Sequence, residues 1–454
     1  MCYFFAVKLT HMNRKYTKTI LIAALAIGLK ASAQEVSEAP LDTLTRSVAA
    51  IQSTLEVMSR LKFTGYIQTQ FQWTDSAGTA SFAGGNFNSG VDKRFMLRRG
   101  RVKIQYDAPL NGLGISTSQY VFQIDVSEKG MTIKDLYAKF TDPWSGWFSL
   151  TAGMQNRPFG FEIGYSSGLR ESPERARMSQ TIFRNERDLG AMVTIQGPKF
   201  SNWNWIKLEA GMFNGTGGPG ASENTSDFDK YKDLISRLSI SRSTASEKIK
   251  YGLGVSYYYG GFRLDNDSVY GIGADSSGVN GFKLQNNKFK GKELQRIYIG
   301  GDAQISIDWI AGITTIRAEY IQGDQPNTAS TTVSPFAPVV SNGYKRKFNG
   351  AYFYFLQNIA QTRFQAIVKY DWYDPNTDVE GDNIGKITKN GVKKFNATDI
   401  KYTTLGFGMA YRWDANVKLT AYYDMVTNET SKNLNGFNKD LKDNVFTLRA
   451  QIKF

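Results

Sequence analysis

The segment 62–73, KFTGYIQTQFQW, sets the pattern that the rest of the chain repeats. Its apolar side chains fall on one parity, at Phe63, Ile67, Phe71 and Trp73. The other parity is polar and includes Thr64, Gln68, Gln70 and Gln72. Because successive side chains of a strand point to opposite faces, this period of two predicts a strand with one apolar and one polar face.

Similar alternation predicts sixteen strands between residues 61 and 454, and the connections between them sort by length. Short connections follow several even-numbered strands, at 142–146, 310–311, 358–361 and 413–415. Long connections follow most odd-numbered strands, at 74–95, 156–187, 214–231, 261–293, 323–345 and 374–400. The short connection 127–131 is the one clear exception. Since outer-membrane barrels have short turns at one end and long loops at the other, we predict an all-β, sixteen-stranded antiparallel transmembrane β-barrel over residues 61–454.

The composition and the last strand agree with a barrel. No stretch beyond the N-terminus has enough consecutive apolar residues for a transmembrane helix, and the mean hydropathy is −0.37. Alternating lipid-facing and lumen-facing residues produce such a mildly polar average. One face of the last strand carries Phe446, Leu448, Ala450, Ile452 and the terminal Phe454. Such a strand resembles the C-terminal signature of bacterial outer-membrane proteins.

The first 33 residues predict a cleaved secretory signal peptide. Basic residues precede an apolar run, 20–29, and the small residues Ala31, Ser32 and Ala33 follow it. The run is too short for an anchor helix across a bilayer of about 30 Å. Cleavage after Ala33 removes five basic residues and no acidic one, so 50 basic side chains stand against 41 acidic ones in the exported chain.

Export also removes the single Cys and the single His of the sequence, Cys2 and His11. The exported chain therefore lacks Cys or His nucleophiles, zinc sites with Cys or His ligands, and disulfides. We predict no catalytic residue, no metal and no cofactor. A hydrolase that uses carboxylates alone is the one enzyme class that this composition leaves open.

A short helix is predicted ahead of the barrel, within a periplasmic segment over residues 34–60. Its apolar residues recur at three- and four-residue spacing, at Leu41, Leu44, Val48, Ile51, Leu55 and Met58. Three roles are open for it, namely association with copies of itself, packing on the barrel, or a mobile extension.

The polar parity of the strands is assigned to the lumen, and the apolar parity, which includes Tyr352 and Tyr354, to lipid. Basic residues outnumber acidic ones on the polar parity. The basic candidates for the lumen wall are Arg99, Arg101, Lys103, Lys139, Arg237, Arg296, Arg317 and Arg363. Rings of Arg or Lys select anions, so we expect an anion preference. The alternative is that these charges only pair across strands.

An arginine-rich irregular segment, 153–188, follows the fifth strand. Its candidates for a constriction or for anion binding are Arg157, Arg170, Arg175, Arg177, Arg184 and Arg187. The segment belongs with the long loops, yet its clustered charges suit a polar lumen better than an exposed surface. Gly160 allows a tight turn, and pairing of Arg157 with Glu162 or Glu174 would hold the segment in shape. Structural pairing and solute contact are both open for each arginine.

Six short motifs lie in order between residues 98 and 190. They are RRGR at 98–101, KDLY at 134–137, GMQNRPFG at 153–160, SS at 166–167, ER at 174–175 and RDLG at 187–190. Together they resemble the phosphate-selective porin O/P family. The resemblance implies a sixteen-stranded, trimeric porin whose third outer loop, here 156–187, folds inward to narrow the channel while arginines and lysines lead anions through it. It does not identify the solute.

We therefore predict an outer-membrane porin of a Gram-negative bacterium, which allows passive diffusion of small hydrophilic solutes with a preference for anions, phosphate being one candidate. The alternative is a barrel that serves mainly in surface binding or adhesion through its long loops. The expected partners are small anionic or hydrophilic solutes, outer-membrane lipid and lipopolysaccharide, the barrel assembly machinery, and further copies of the chain in a homotrimer. No nucleic acid is expected.

Overall fold

The computed structural model describes residues 40–217, 227–335 and 337–454, so the predicted signal peptide lies outside the described residues. No helix in these ranges is long and apolar enough to cross a membrane. The described residues form two α-helices and nineteen strands: α1 (Pro40–Arg60), β1 (Leu61–Thr74), β2 (Lys93–Asp107), β3 (Ser118–Ser127), β4 (Gly130–Thr141), β5 (Phe148–Asn156), α2 (Arg177–Ile182), β6 (Arg187–Gln196), β7 (Ile206–Phe213), β8 (Asp233–Ser243), β9 (Ile249–Arg263), β10 (Val269–Ala274), β11 (Asn280–Asn286), β12 (Glu293–Trp309), β13 (Gly312–Asp324), β14 (Gly343–Tyr344), β15 (Lys347–Asn358), β16 (Phe364–Asp374), β17 (Tyr402–Arg412), β18 (Val417–Asn428) and β19 (Val445–Lys453).

All of these strands except β10, β11 and β14 form one closed antiparallel barrel, which confirms the prediction of sixteen barrel strands. Each barrel strand pairs with its neighbours in sequence, and β1 closes the barrel on β19 with Tyr66 opposite Lys453 and Thr74 opposite Val445. Closure leaves no sheet edge unpaired, which is the condition for a sheet in a membrane.

The barrel has its apolar residues outside and its polar residues inside, as the alternation predicts. In β1, Phe63 and Trp73 are exposed, whereas Gln68 and Gln72 are buried. The last strand, β19, has the same arrangement, because Arg449 is buried while its neighbours in the strand face outward. An apolar exterior of this kind suits lipid and not water.

The inward face of one part of the barrel is aromatic, contrary to the assignment of Tyr352 and Tyr354 to lipid. Both tyrosines are buried inside, and Phe353 and Phe355 face outward instead. They belong to a cluster that also includes Tyr258 and Tyr298 of β9 and β12, and Phe159, Met178 and Phe183 of the segment between β5 and β6. The assignment was wrong because β15 carries apolar side chains on both parities, so its period of two does not identify the inner face.

The remaining strands lie in the long connections. β10 pairs antiparallel with β11 and parallel with β14, and together they make a small three-stranded sheet. Phe282 of β11 and Tyr344 of β14 pack with Phe395, Ile384 and Ile400 from the connection between β16 and β17. The long connections at this end therefore fold against one another. The sequence pattern did not predict these short strands.

Candidate functional site

Residues 157–186, between β5 and β6, lie inside the barrel and contact inward-facing side chains around its circumference. The Gly160 amide donates to Ser256 Oγ of β9 at 2.9 Å. Ser172 shares a hydrogen bond of 2.6 Å with the Tyr354 hydroxyl of β15. Ser167 shares one of 2.6 Å with the Tyr66 hydroxyl of β1. We refer to residues 157–186 as the inner loop.

Glu319 of β13 anchors the first turn of the inner loop. The Phe161 and Glu162 amides donate to its Oε2 at 3.1 and 3.0 Å, and the Tyr352 hydroxyl donates to the same atom at 2.9 Å. Gly160 has a φ of +58°, and a Cβ at this position would lie 1.9 Å from Glu319 Oε1. Both the backbone conformation and the close approach of the carboxylate therefore require glycine here.

Glu174 is a second anchor and holds the inner loop to β2 and β19. Its carboxylate receives guanidinium contacts of 2.8 Å from each of Arg98, Arg99 and Arg449. Burial alone would raise the pKa of the Glu174 carboxyl, but the three cations outweigh it and hold that pKa well below its usual range. The carboxylate is thus ionised and neutralised in place.

A third anchor is Glu186, at the end of the inner loop. Arg101, Arg175 and Arg187 surround its carboxylate, and Arg187 also donates to Asp135 Oδ1 at 3.0 Å. Burial opposes ionisation of Glu186, but the cations around it hold its pKa well below the usual range. The guanidinium groups of Arg101, Arg175 and Arg187 are therefore held by carboxylates of the protein.

The other arginines of the inner loop differ in environment. Arg157 does not pair with Glu162 or Glu174; it donates to the Asn185 carbonyl and lies over the Phe183 ring.

Arg175 donates to the Glu162 carbonyl at 3.1 Å, which adds a backbone contact to its place beside Glu186. Arg177 lies between the Phe82 and Tyr402 rings, 4.5 and 3.8 Å from their centroids. Arg184 is exposed. Arg170 is buried, yet its three guanidinium nitrogens have no hydrogen-bond partner among the described residues.

Most arginines predicted for the lumen wall are in ion pairs. The pairs are Arg99 with Glu174, Arg101 with Asp125, Arg237 with Asp302, Arg296 with Asp233 and Arg317 with Glu171. Arg363 lies in the turn before β16, exposed, and donates to the Trp413 carbonyl at 2.7 Å. Lys103 and Lys139 face the lumen without an ion pair to any described residue.

A cavity of about 600 Å³ separates the inner loop from the wall formed by β2 to β8. Its basic lining residues are Arg101, Lys103, Lys139, Arg157, Arg187, Lys207 and Arg237. Its acidic lining residues are Asp135 and Glu209. Gln196 and Lys207 flank the connection between β6 and β7, so the cavity extends toward the short-turn end. The open part of the lumen is thus off-centre and predominantly basic.

The opposite side of the inner loop is tightly packed. The space there, lined by Arg175, Arg177, Lys369, Asp371 and Asp424 among others, is about 30 Å³. That volume has room for only a few water molecules. Sequence reasoning identified the basic wall and named Glu174 as a residue that could hold the segment, but with Arg157 as its partner and not Arg98, Arg99 and Arg449. It did not identify Glu319 as an anchor. Glu319 lies on the inward parity of β13, which is the one local signal that points to it.

Comparisons with known proteins agree with this architecture. The family model described as "Phosphate-selective porin O and P" matches residues 100–454. The outer-membrane channel DcaP of Acinetobacter baumannii is a similar solved structure, with 12% identity, a TM-score of 0.50, and coverage of 87% of this chain and 97% of that chain. OmpF of Salmonella typhi in complex with daunomycin is similar at 10% identity, with a TM-score of 0.50 and the same coverages. At these identities the structural likeness shows the fold alone. No curated protein matches the sequence.

Proposed function

The chain belongs to the phosphate-selective porin O and P family of outer-membrane porins, and on this basis we propose that it is a passive diffusion channel for small hydrophilic solutes with a preference for anions. The observation that carries the anion preference is the lining of the 600 Å³ cavity, where seven basic side chains meet two acidic ones. Phosphate is one candidate solute. The proposal includes no reaction and no cofactor.

The lysines matter more for this preference than the ion-paired arginines. The charge of Arg101 is offset by Asp125 at 3.0 Å and that of Arg237 by Asp302 at 2.8 Å, each just behind the lining. Lys103 and Lys139 have no such partner among the described residues, and Lys207 has only Glu209, at 3.0 Å. In a narrow lumen with low-dielectric walls, uncompensated cations raise the local concentration of anions.

Planar-bilayer recordings in a salt gradient test the proposal. We expect the wild-type reversal potential to show anion selectivity, and the combined substitution Lys103→Gln, Lys139→Gln and Lys207→Gln to move it toward zero. The matched control is Lys129→Gln, Lys248→Gln and Lys439→Gln, which removes the same charge from exposed positions. A cation-selective wild type, or equal shifts in both variants, would contradict the assignment. Competition of phosphate with chloride current tests the solute.

The proposal also covers the oligomeric state of the protein and the membrane around it. We infer a homotrimer in the outer membrane, with lipid and lipopolysaccharide around the apolar exterior and insertion by the barrel assembly machinery. The second candidate function is surface attachment. It is favoured by the packing of Phe282, Tyr344 and Phe395 at the long-loop end, because loops that fold against one another can present a defined surface. Absence of conductance in the bilayer would favour this candidate.

A further inference from the structure

Most large apolar residues of α1 form a narrow stripe that is exposed in the described part of the chain, and Val57, at a c position, lies outside it. Leu44, Val48, Ile51, Leu55 and Met58 are separated by four, three, four and three residues, and each is exposed, from 44% for Val48 to 61% for Leu44 and Met58. This is the a and d repeat of a heptad, with Val48 and Leu55 at a and Leu44, Ile51 and Met58 at d. Helices that pack on a globular body have a wider apolar face than this seam.

The positions beside the seam are suited to contact with an identical helix. Thr45, Ser47, Gln52, Thr54 and Ser59 occupy the e and g positions, and none is charged. The charged residues Arg46, Glu56 and Arg60 occupy the b and f positions, away from the seam. Identical helices can therefore approach one another without like-charge repulsion.

The length of α1 and its position before β1 also favour packing against another helix. Its 21 residues contain about three heptads, and most of the stability of a helix in a protein comes from the packing of its amphipathic face. Leu55 at a with Ile51 at d favours three strands or more, whereas Val48 at a with Leu44 at d favours two. The number of strands therefore comes from the trimer of the proposed function and not from the seam. α1 ends at Arg60 and β1 begins at Leu61, so every copy of the barrel carries one such helix on the same strand.

We propose that the α1 helices of three copies of this chain form a parallel coiled coil that joins the barrels outside the membrane. The inference rests on the trimer that accompanies the proposed function. Symmetry satisfies every apolar stripe at once, because three identical seams face a common axis and none remains in water. The coiled coil holds the barrels together independently of contacts between their walls.

Disulfide cross-linking of the full-length protein, purified from outer membranes in mild detergent, tests the coiled coil. Ile51→Cys places a thiol at the seam, and Ser53→Cys, two residues away, places one on the outer f position. Wild-type protein is the blank, since its single Cys lies at position 2. After oxidation, boiling and electrophoresis without reductant, we expect dimers from Ile51→Cys alone. With three seam thiols per trimer the dimer yield reaches about two thirds of the chains.

Absence of dimers from Ile51→Cys, or equal yields from Ser53→Cys, would overturn the coiled coil. A yield near completion would overturn three strands in favour of two. Bilayer recordings on the same Ile51→Cys sample separate this inference from the channel proposal. Failure of the cross-link with normal anion-selective conductance removes only the coiled coil, whereas cross-linked protein without conductance removes only the channel.

Discussion

Gly160→Ala should release the inner loop from the barrel wall. The residue has a φ of +58°, and the added Cβ would lie 1.9 Å from Glu319 Oε1, far inside van der Waals contact. The left-handed conformation costs alanine about 1 kcal/mol. Displacement of the carboxyl group also breaks the bonds from the Phe161 and Glu162 amides, at about 1.5 kcal/mol each.

These terms add to about 4 kcal/mol, or a shift of about a thousandfold in the equilibrium between the docked and undocked inner loop. We expect a larger and noisier single-channel conductance in planar bilayers, and a lower temperature at which the detergent-solubilised barrel unfolds. Gly164→Ala is the matched control, because Gly164 has no such φ and a Cβ there meets nothing closer than 3.9 Å. If Gly160→Ala and Gly164→Ala have the same conductance and the same stability, the anchoring role of Glu319 is wrong.

Three further outcomes follow from buried charges. Glu174→Gln leaves three guanidinium groups without their carboxylate, so we expect a loss of about 3–5 kcal/mol in the free energy of unfolding, measured by denaturant titration. A loss below about 1 kcal/mol would contradict the anchoring role of Glu174. Arg170→Met replaces a buried cation whose three nitrogens lack hydrogen-bond partners among the described residues, so we expect a gain of about 1–3 kcal/mol in the same titration. A loss would show that the guanidinium has a partner such as a bound anion. Burial raises the pKa of Asp443 to about 6, from about 4 in an unfolded chain, so the stabilising contribution of the protonated side chain is complete below about pH 4 and disappears as the pH rises through 6. Asp443→Asn should therefore weaken the dependence of the thermal unfolding midpoint on pH between about pH 4 and pH 6. An unchanged pH dependence would refute this role of Asp443.

The barrel could be predicted from the sequence because its signal is local. Each strand shows its own alternation, as 62–73 does, and the lengths of the connections give the two ends of the barrel without any knowledge of contacts. The exceptions have a physical cause. β15 is apolar on both parities because its inner face packs against the inner loop, and a strand covered on both sides loses its period of two.

The roles of individual arginines could not be predicted, since their partners lie far away in the sequence. Glu174 is 76 residues from Arg98 and 275 residues from Arg449, and all three meet only when the inner loop enters the closed barrel. The composition of 153–188 predicts a charged segment in a polar lumen. It contains no information on which guanidinium faces a carboxylate, a ring or open space.

Arginine and lysine have different roles in the proposed channel because their side chains differ in chemistry. A guanidinium presents planar donors that fit a carboxylate, and Arg98 binds Glu174 through both Nε and Nη2, at 2.8 and 2.9 Å. Such pairs fix the inner loop but present little net charge to a solute. An ammonium group on a flexible stem is a poorer anchor and remains a point charge when no carboxylate forms an ion pair with it, as at Lys103 and Lys139 among the described residues. In the proposed channel, the ion-paired arginines therefore set the shape of the open space, and the lysines make the larger contribution to its electrostatic potential.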